Sequence, residues 1–184
     1  MLHTNDVHGA ISGYAKVAAL KKAYEAEGAY VLLMDAGDFC QGDPTVSVSQ
    51  GKTAVELMNM AGYDVTTLGN HEFDYGMARA KAVLKEADFP YVSCNWVDLR
   101  TGLRVLPAVK LFPAGGKWIA FVGITTPESF TKSTPAYFMN AKQTKYIYDI
   151  LGGDDGRKLY DAVQKAIDKA KTLGADIIIG LGHL

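Results

Sequence analysis

Hydrophobic positions along the chain fall into two recurring patterns, short unbroken runs and stripes of helical spacing, separated by polar loops rich in glycine. Residues 2–4 are too few to show a period but read as the end of a strand. Residues 16–27 carry Val17, Leu20 and Tyr24 on one face and stop at Gly28, which predicts a helix. The run 30–34 is apolar throughout, as in a strand covered on both faces. A helix over 53–61, with Thr53 as N-cap and Gly62 after it, precedes a strand over 64–68. Met77, Ala80, Leu84 and Ala87 form the stripe of a third helix, and 91–94 reads as a short strand. Residues 103–111 and 117–123 predict a hairpin across Pro113-Ala114-Gly115-Gly116. The stretch 125–156 is irregular and reads as a long surface excursion. Residues 157–173 are the clearest helix, with Leu159, Val163, Ile167 and Ala170 at helical spacing, and 175–181 is a final buried strand. Strands alternating with helices define an α/β class with a largely parallel sheet.

Composition narrows the function without choosing one. A chain of 184 residues folds as one domain and buries about 70 % of its unfolded surface. Nineteen basic against twenty acidic residues leave a net charge of −1, so no nucleic-acid polymer or anionic membrane is expected as a partner. No run reaches the length of a membrane span. Cys40 and Cys94 exclude a disulfide framework and a CxxC zinc site and read as two unpaired buried thiols, with a single disulfide as the alternative. Met1-Leu2-His3-Thr4 carries no signal peptide.

The polar residues are placed more tellingly. Asp6 and His8 follow the first strand, Asp35 and Asp38 the second, Asn70, His71 and Asp74 the third, and His183 the last. The carboxyl edge of an open α/β sheet is where ligands bind, and carboxylate mixed with imidazole is a ligand set for a divalent metal. Each short motif also has a plainer reading. Asp6 and His8, two apart on an extended segment, point the same way and can grip one ion, or they are a turn residue and a surface residue. Asp35 and Asp38 flank a small-residue turn and can bond their own backbone. Asp74 can fix the tautomer of His71 or cap a turn. His3 is assigned to packing. Gly51-Lys52-Thr53 is not a phosphate loop, because Val46 stands where that motif needs glycine, and no GxGxxG follows a strand.

Taken together, His3-Thr4-Asn5-Asp6-Val7-His8-Gly9, Asp35-Ala36-Gly37-Asp38, Gly69-Asn70-His71-Glu72-Phe73-Asp74 and Leu181-Gly182-His183-Leu184 resemble one family. It is the metallophosphatase domain of the 5′-nucleotidase, UDP-sugar hydrolase and 2′,3′-cyclic nucleotide phosphodiesterase group, and the resemblance covers residues 1–184. It implies a calcineurin-like phosphoesterase fold, two sheets sandwiched between helices, with two divalent metal ions (Mn²⁺, Zn²⁺ or similar) at the strand ends. It further implies that Asp6 and His8 bind one metal, Asp38 bridges both, and Asn70 and His183 bind the other. His71, held by Asp74, would stand beside the scissile phosphate, and Asp35 and Glu72 would be structural. The implied reaction is hydrolysis of a nucleotide phosphoester. A cyclic phosphodiesterase, a thiosulfohydrolase and a non-catalytic metal-binding domain are alternatives on the same scaffold. The family adds two more ligand-bearing loops and a nucleotide-recognition domain after the Gly-His-Leu block. A chain ending at Leu184 is therefore expected to bind metal weakly and turn over poorly. Family members are exported or cell-surface proteins, so an exported location is expected. The strand over 175–181 is expected to leave an edge open to self-association.

Overall fold

The computed structural model describes residues 1–184. The chain begins with β1 (Leu2–Thr4), α1 (Ile11–Ala26), β2 (Leu33–Asp35), α2 (Pro44–Val48), α3 (Lys52–Ala61) and β3 (Val65–Thr66). After a single 3₁₀ turn at His71–Phe73 come α4 (Met77–Leu84), β4 (Trp96–Asp98), β5 (Leu103–Arg104), β6 (Val109–Ala114) and β7 (Lys117–Ile124). The last part holds α5 (Ser129–Lys132), a 3₁₀ turn at Pro135–Phe138, β8 (Tyr148–Ile150), α6 (Arg157–Thr172) and β9 (Ile177–Gly182).

Two sheets face each other, and side-chain alternation shows why. β1, β2 and β3 form a parallel sheet, with Thr4 opposite Asp35 and Asp35 opposite Thr66. β6, β7 and β9 form a mixed sheet, with β6 antiparallel and β9 parallel to β7. Leu32 and Met34 turn inward to meet Ile119 and Phe121 of β7 and Leu181 of β9. Leu33, between them, turns outward into a core with Tyr14 of α1, Val55 and Met58 of α3 and Val83 of α4. On the far side Val122 packs against Ala162 and Ala166 of α6. The layers are thus helix, sheet, sheet, helix, with β2 and the middle of β7 buried on both faces.

The α/β class and the sandwich are as expected, with local differences. A third, antiparallel sheet of β5, β4 and β8 is present beside the two facing ones. The 125–156 stretch is not merely a surface excursion, because it contributes β8 and sends Phe138 and Ile150 into the core. The predicted strand over 91–94 splices the two facing sheets: Val92 N–H bonds Thr66 O and Cys94 N–H bonds Gly123 O. Residues 103–111 divide between β5 and β6, and β6 runs on through Pro113, which an edge strand tolerates. α1 starts at Ile11 rather than residue 16, since Ile11 and Tyr14 both reach the core. The 30–34 strand is shifted to Leu33–Asp35, and Tyr30 is exposed. α3 is capped at Gly51 in a left-handed conformation, not at Thr53. Cys40 and Cys94 are both free and buried.

Candidate metal centre

Four strands end on one rim. The chain leaves β1 into Asn5–Gly9, β2 into Ala36–Asp43, β3 into Thr67–Asp74, and β9 into His183. The first two loops remain laced together beyond the strands: Ala36 N–H bonds Thr4 O, Asp6 N–H bonds Gly37 O, and His8 N–H bonds Asp38 O. Glu72 ties the second loop to the third. This carboxylate, 3 % exposed, accepts the amides of Asp38 (2.9 Å), Phe39 (2.9 Å), Cys40 (3.2 Å) and Gly69 (2.6 Å). Burial and the Asp38 charge push its acid strength down, while those amide donors pull the other way, and the net shift of its pKa is upward.

The loops pack so closely that only glycine fits where they cross. A methyl group on Gly69 would lie 2.1 Å from Asp38 Oδ1. Gly37, at φ +102°, would place one 2.3 Å from Gly69 N. Asp6, His8 and Asp38 themselves have φ of 49°, 45° and 64°. Side chains other than glycine hold this left-handed region at a cost on the order of 1 kcal/mol or more each, and such strain concentrates at functional sites. It also corrects the extended-segment argument for Asp6 and His8. The two do converge, with His8 Nε2 3.6 Å from Asp6 Oδ1, but through two turned residues rather than strand alternation.

Asp38 is the hub. Its Oδ1 accepts the His71 amide at 2.8 Å, and its Oδ2 lies 3.2 Å from His183 Nε2 and 3.9 Å from His71 Nε2. The other nitrogen of each ring is committed: His71 Nδ1 to Asp74 Oδ2 at 2.5 Å, and His183 Nδ1 to the Ala36 carbonyl at 3.2 Å. Where Nδ1–H donates, Nε2 of a neutral ring presents a lone pair, and two lone pairs then face one carboxylate oxygen. A proton or a cation must sit between them. In the protein alone, the Asp38 bond raises the pKa of His183 against the effect of its burial. Burial pushes Asp38 up, but His183, the His71 amide and both imidazole charges outweigh it and hold the carboxyl below its ordinary value.

A divalent cation fits the same place. Ligand atoms of His8, Asp38 and His71 lie within 4.8 Å of one another, as do those of Asp6, Asp38 and His183. Asn70, 4 % exposed, borders the same cleft and makes no side-chain cap bond to the turn that follows it, so its amide oxygen stays available. The seven residues to which the resemblance gives a metal or catalytic role are therefore on this rim, Asp74 through its bond to His71. His71 also stands close enough to join a ligand group. The cleft, about 780 Å³, takes in His3 and Lys132 as well. His3 is exposed there rather than packed. Lys132 came from the irregular stretch and carried no sequence signal. Gln41, whose amide meets His8 Nδ1 at 3.0 Å, was also missed. Its signal was its place three residues after Asp38 in a rim loop.

A layered α/β sandwich with carboxylates and imidazoles at its strand ends defines a metallophosphoesterase domain. The chain matches the calcineurin-like phosphoesterase family over residues 1–184 and belongs to it, a family of metal-dependent hydrolases. It is 32 % identical over 205 residues to the snake venom 5′-nucleotidase of Gloydius brevicauda, covering 100 % of this chain and 32 % of that protein. A 5′-nucleotidase precursor from Thermus thermophilus superposes with a TM-score of 0.81 at 28 % identity, over 99 % of this chain and 36 % of that one. The sulfate thiohydrolase SoxB of the same organism superposes at 0.78 and 26 % identity, over 96 % and 30 %. The chain spans about a third of the length of the curated relatives it matches. No helix is long and apolar enough to cross a membrane.

Proposed function

We propose that the site hydrolyses nucleotide phosphoesters of the 5′-nucleotidase type with two divalent cations. Asp6 and His8 would hold one cation, Asn70 and His183 the other, and Asp38 both. The observation that carries this reading is the shared position of Asp38, the one residue common to both candidate ligand groups. Those groups set His8 with His71 and Asp6 with His183, and the pairing of Asp6 with His8 rests instead on their own approach of 3.6 Å. Cations held there supply charge that stabilises phosphate oxygens and acidifies water. His71 has its Nδ1 fixed by Asp74, so its Nε2 is the nitrogen free to face the cleft. In its protonated form it donates a hydrogen bond to the phosphoryl group as charge builds there, and it can pass that proton to the departing oxygen. Asp74 keeps the ring in this orientation. Water adds to phosphorus opposite the ester oxygen, that P–O bond breaks, and alcohol and phosphate result.

The nucleotide class is supported by the names of relatives that each cover all of this chain. The Gloydius relative is a venom protein, which supports an exported location. Because those relatives are about three times longer, the stretch 1–184 alone is proposed to turn over poorly. The likeness to SoxB supports a second reading, a thiohydrolase on the same rim. Two variants test the assignment. Asp38→Ala should lose metal measured by elemental analysis, whereas His71→Ala should keep it. In a polypeptide of the relatives' length, His71→Ala should cut phosphate release from AMP by at least two orders of magnitude. Metal loss in His71→Ala would make His71 a ligand. Strong sulfur-ester cleavage without AMP turnover would favour the second reading.

A further inference from the structure

His8 lies between two polar partners. Its Nδ1 is 3.0 Å from the Gln41 side-chain amide, and its Nε2 is 3.6 Å from Asp6 Oδ1. The loop that delivers Gln41 is fixed on both sides. Glu72 holds the amides of Phe39 and Cys40, and Asp43 N–H bonds the carbonyl of His8 itself at 3.2 Å. Even a methyl group on Gly42 would lie 1.9 Å from that carbonyl. The loop thus wraps His8, and half-buried Gln41 closes over one edge of its ring.

We propose that Gln41 is a positioning residue that occupies His8 Nδ1 and reserves Nε2 for a cation shared with Asp6, adapting to either tautomer of the ring. The inference rests on the metal reading above. A neutral imidazole has one N–H and one lone pair. A cation on Nε2 needs the lone pair there, so the proton moves to Nδ1 and the amide oxygen of Gln41 accepts it. Without a cation, the favourable tautomer puts the proton on Nε2, facing the Asp6 carboxylate, and the Gln41 NH₂ donates to Nδ1. A primary amide serves both states by a half-turn about its last bond. A carboxylate serves only the first and an ammonium only the second, which accounts for a glutamine at this position. Hydrogen bonds of this kind behind a ligating histidine typically change metal affinity 10- to 100-fold.

The test is ¹⁵N NMR of the histidine rings at about pH 8, above the ordinary imidazole pKa, with zinc titrated into the whole chain. In the native chain His8 should carry its proton on Nε2 without zinc and on Nδ1 with zinc bound. Gln41→Met should mix the tautomers and weaken zinc binding by about tenfold with an unchanged thermal midpoint. Gln41→Glu should hold the proton on Nδ1 even without zinc. Identical His8 spectra and zinc affinity in the native chain and Gln41→Met would overturn the inference, as would zinc bound at Nδ1. A native chain that takes up no zinc would instead undo the metal reading. The metal-free spectra of the three proteins then decide the role of Gln41: one tautomer in all three overturns it, and the Nε2–H, mixed and Nδ1–H series supports it.

Discussion

Asp35 offers a test of the buried platform beneath the rim. Its carboxyl is fully buried at the end of β2. It accepts Thr4 Oγ1–H at 2.5 Å and Gly37 N–H at 2.8 Å. Burial dominates, and even with those donors the pKa is pushed from 3.8 up to about 7. The folded chain therefore binds a proton that the unfolded chain releases between these two values. The sign follows: this group favours folding fully below pH 3.8, loses that contribution as pH rises, and adds nothing further above about pH 7. Inside the window the slope approaches 1.4 kcal/mol per pH unit, and the whole span is on the order of 4 kcal/mol. Asp35→Asn removes the titration but keeps an acceptor for Gly37 and can donate to Thr4, whose hydroxyl already neighbours Tyr63 Oη at 2.9 Å. Urea unfolding of both proteins at pH 5, 6 and 7 in chelator measures the difference. The native chain should lose about 1 kcal/mol per unit relative to Asp35→Asn across that range. Parallel stability curves would refute the reasoning. A constant offset alone would show that hydrogen-bond geometry, not the buried charge, matters at this position.

Other outcomes follow from the same rim. Gly69→Ala forces Asp38 Oδ1 off the His71 amide, so metal uptake measured by calorimetry should weaken at least tenfold, with a stability loss of about 1–3 kcal/mol. Glu72→Gln leaves one acceptor oxygen for four amides, and two of these lose their partner. A loss of about 2–4 kcal/mol in urea is expected, and an unchanged midpoint would remove Glu72 from the clamp. Because the Asp38 contact raises the His183 pKa, protons compete with metal to higher pH than at a free histidine. Metal affinity should therefore fall as pH drops through the histidine range, with proton release visible as a buffer-dependent binding enthalpy, and His183→Asn should flatten that dependence.

What was legible in the sequence depended on how local its cause was. α6 and β7 could be read because the centre of the strand and one stripe of the helix are buried, which writes a period into consecutive residues. β9 was legible from its isoleucine run, but it is only half-buried, with Leu181 inside and Ile177 exposed, not the buried strand expected. Gly115 and Gly116, both at positive φ, mark the β6–β7 turn for the same local reason. α2 was not anticipated: Asp43 caps Thr45 with Pro44 in the first turn, but the helix is too short to show a stripe. The 91–94 segment looked like a strand because it is buried; that it joins two sheets depends on Thr66 and Gly123, partners remote in sequence. The rim follows the same division. Asp6, His8, Asp38, Asn70, His71 and His183 stood out because each follows a buried strand. Their geometry was not legible, since it depends on Glu72 gathering amides from residues 38–40 and 69. Those bonds hold Asp38 at φ +64° and set Gly69 against its carboxylate. The carboxylate is then aimed at two imidazoles whose other nitrogens are already bonded. Ligand identity is written residue by residue, but the aim of Asp38 comes from a buried glutamate 34 residues further along the chain, so removing Glu72 should weaken metal uptake without replacing any residue proposed to hold the metal.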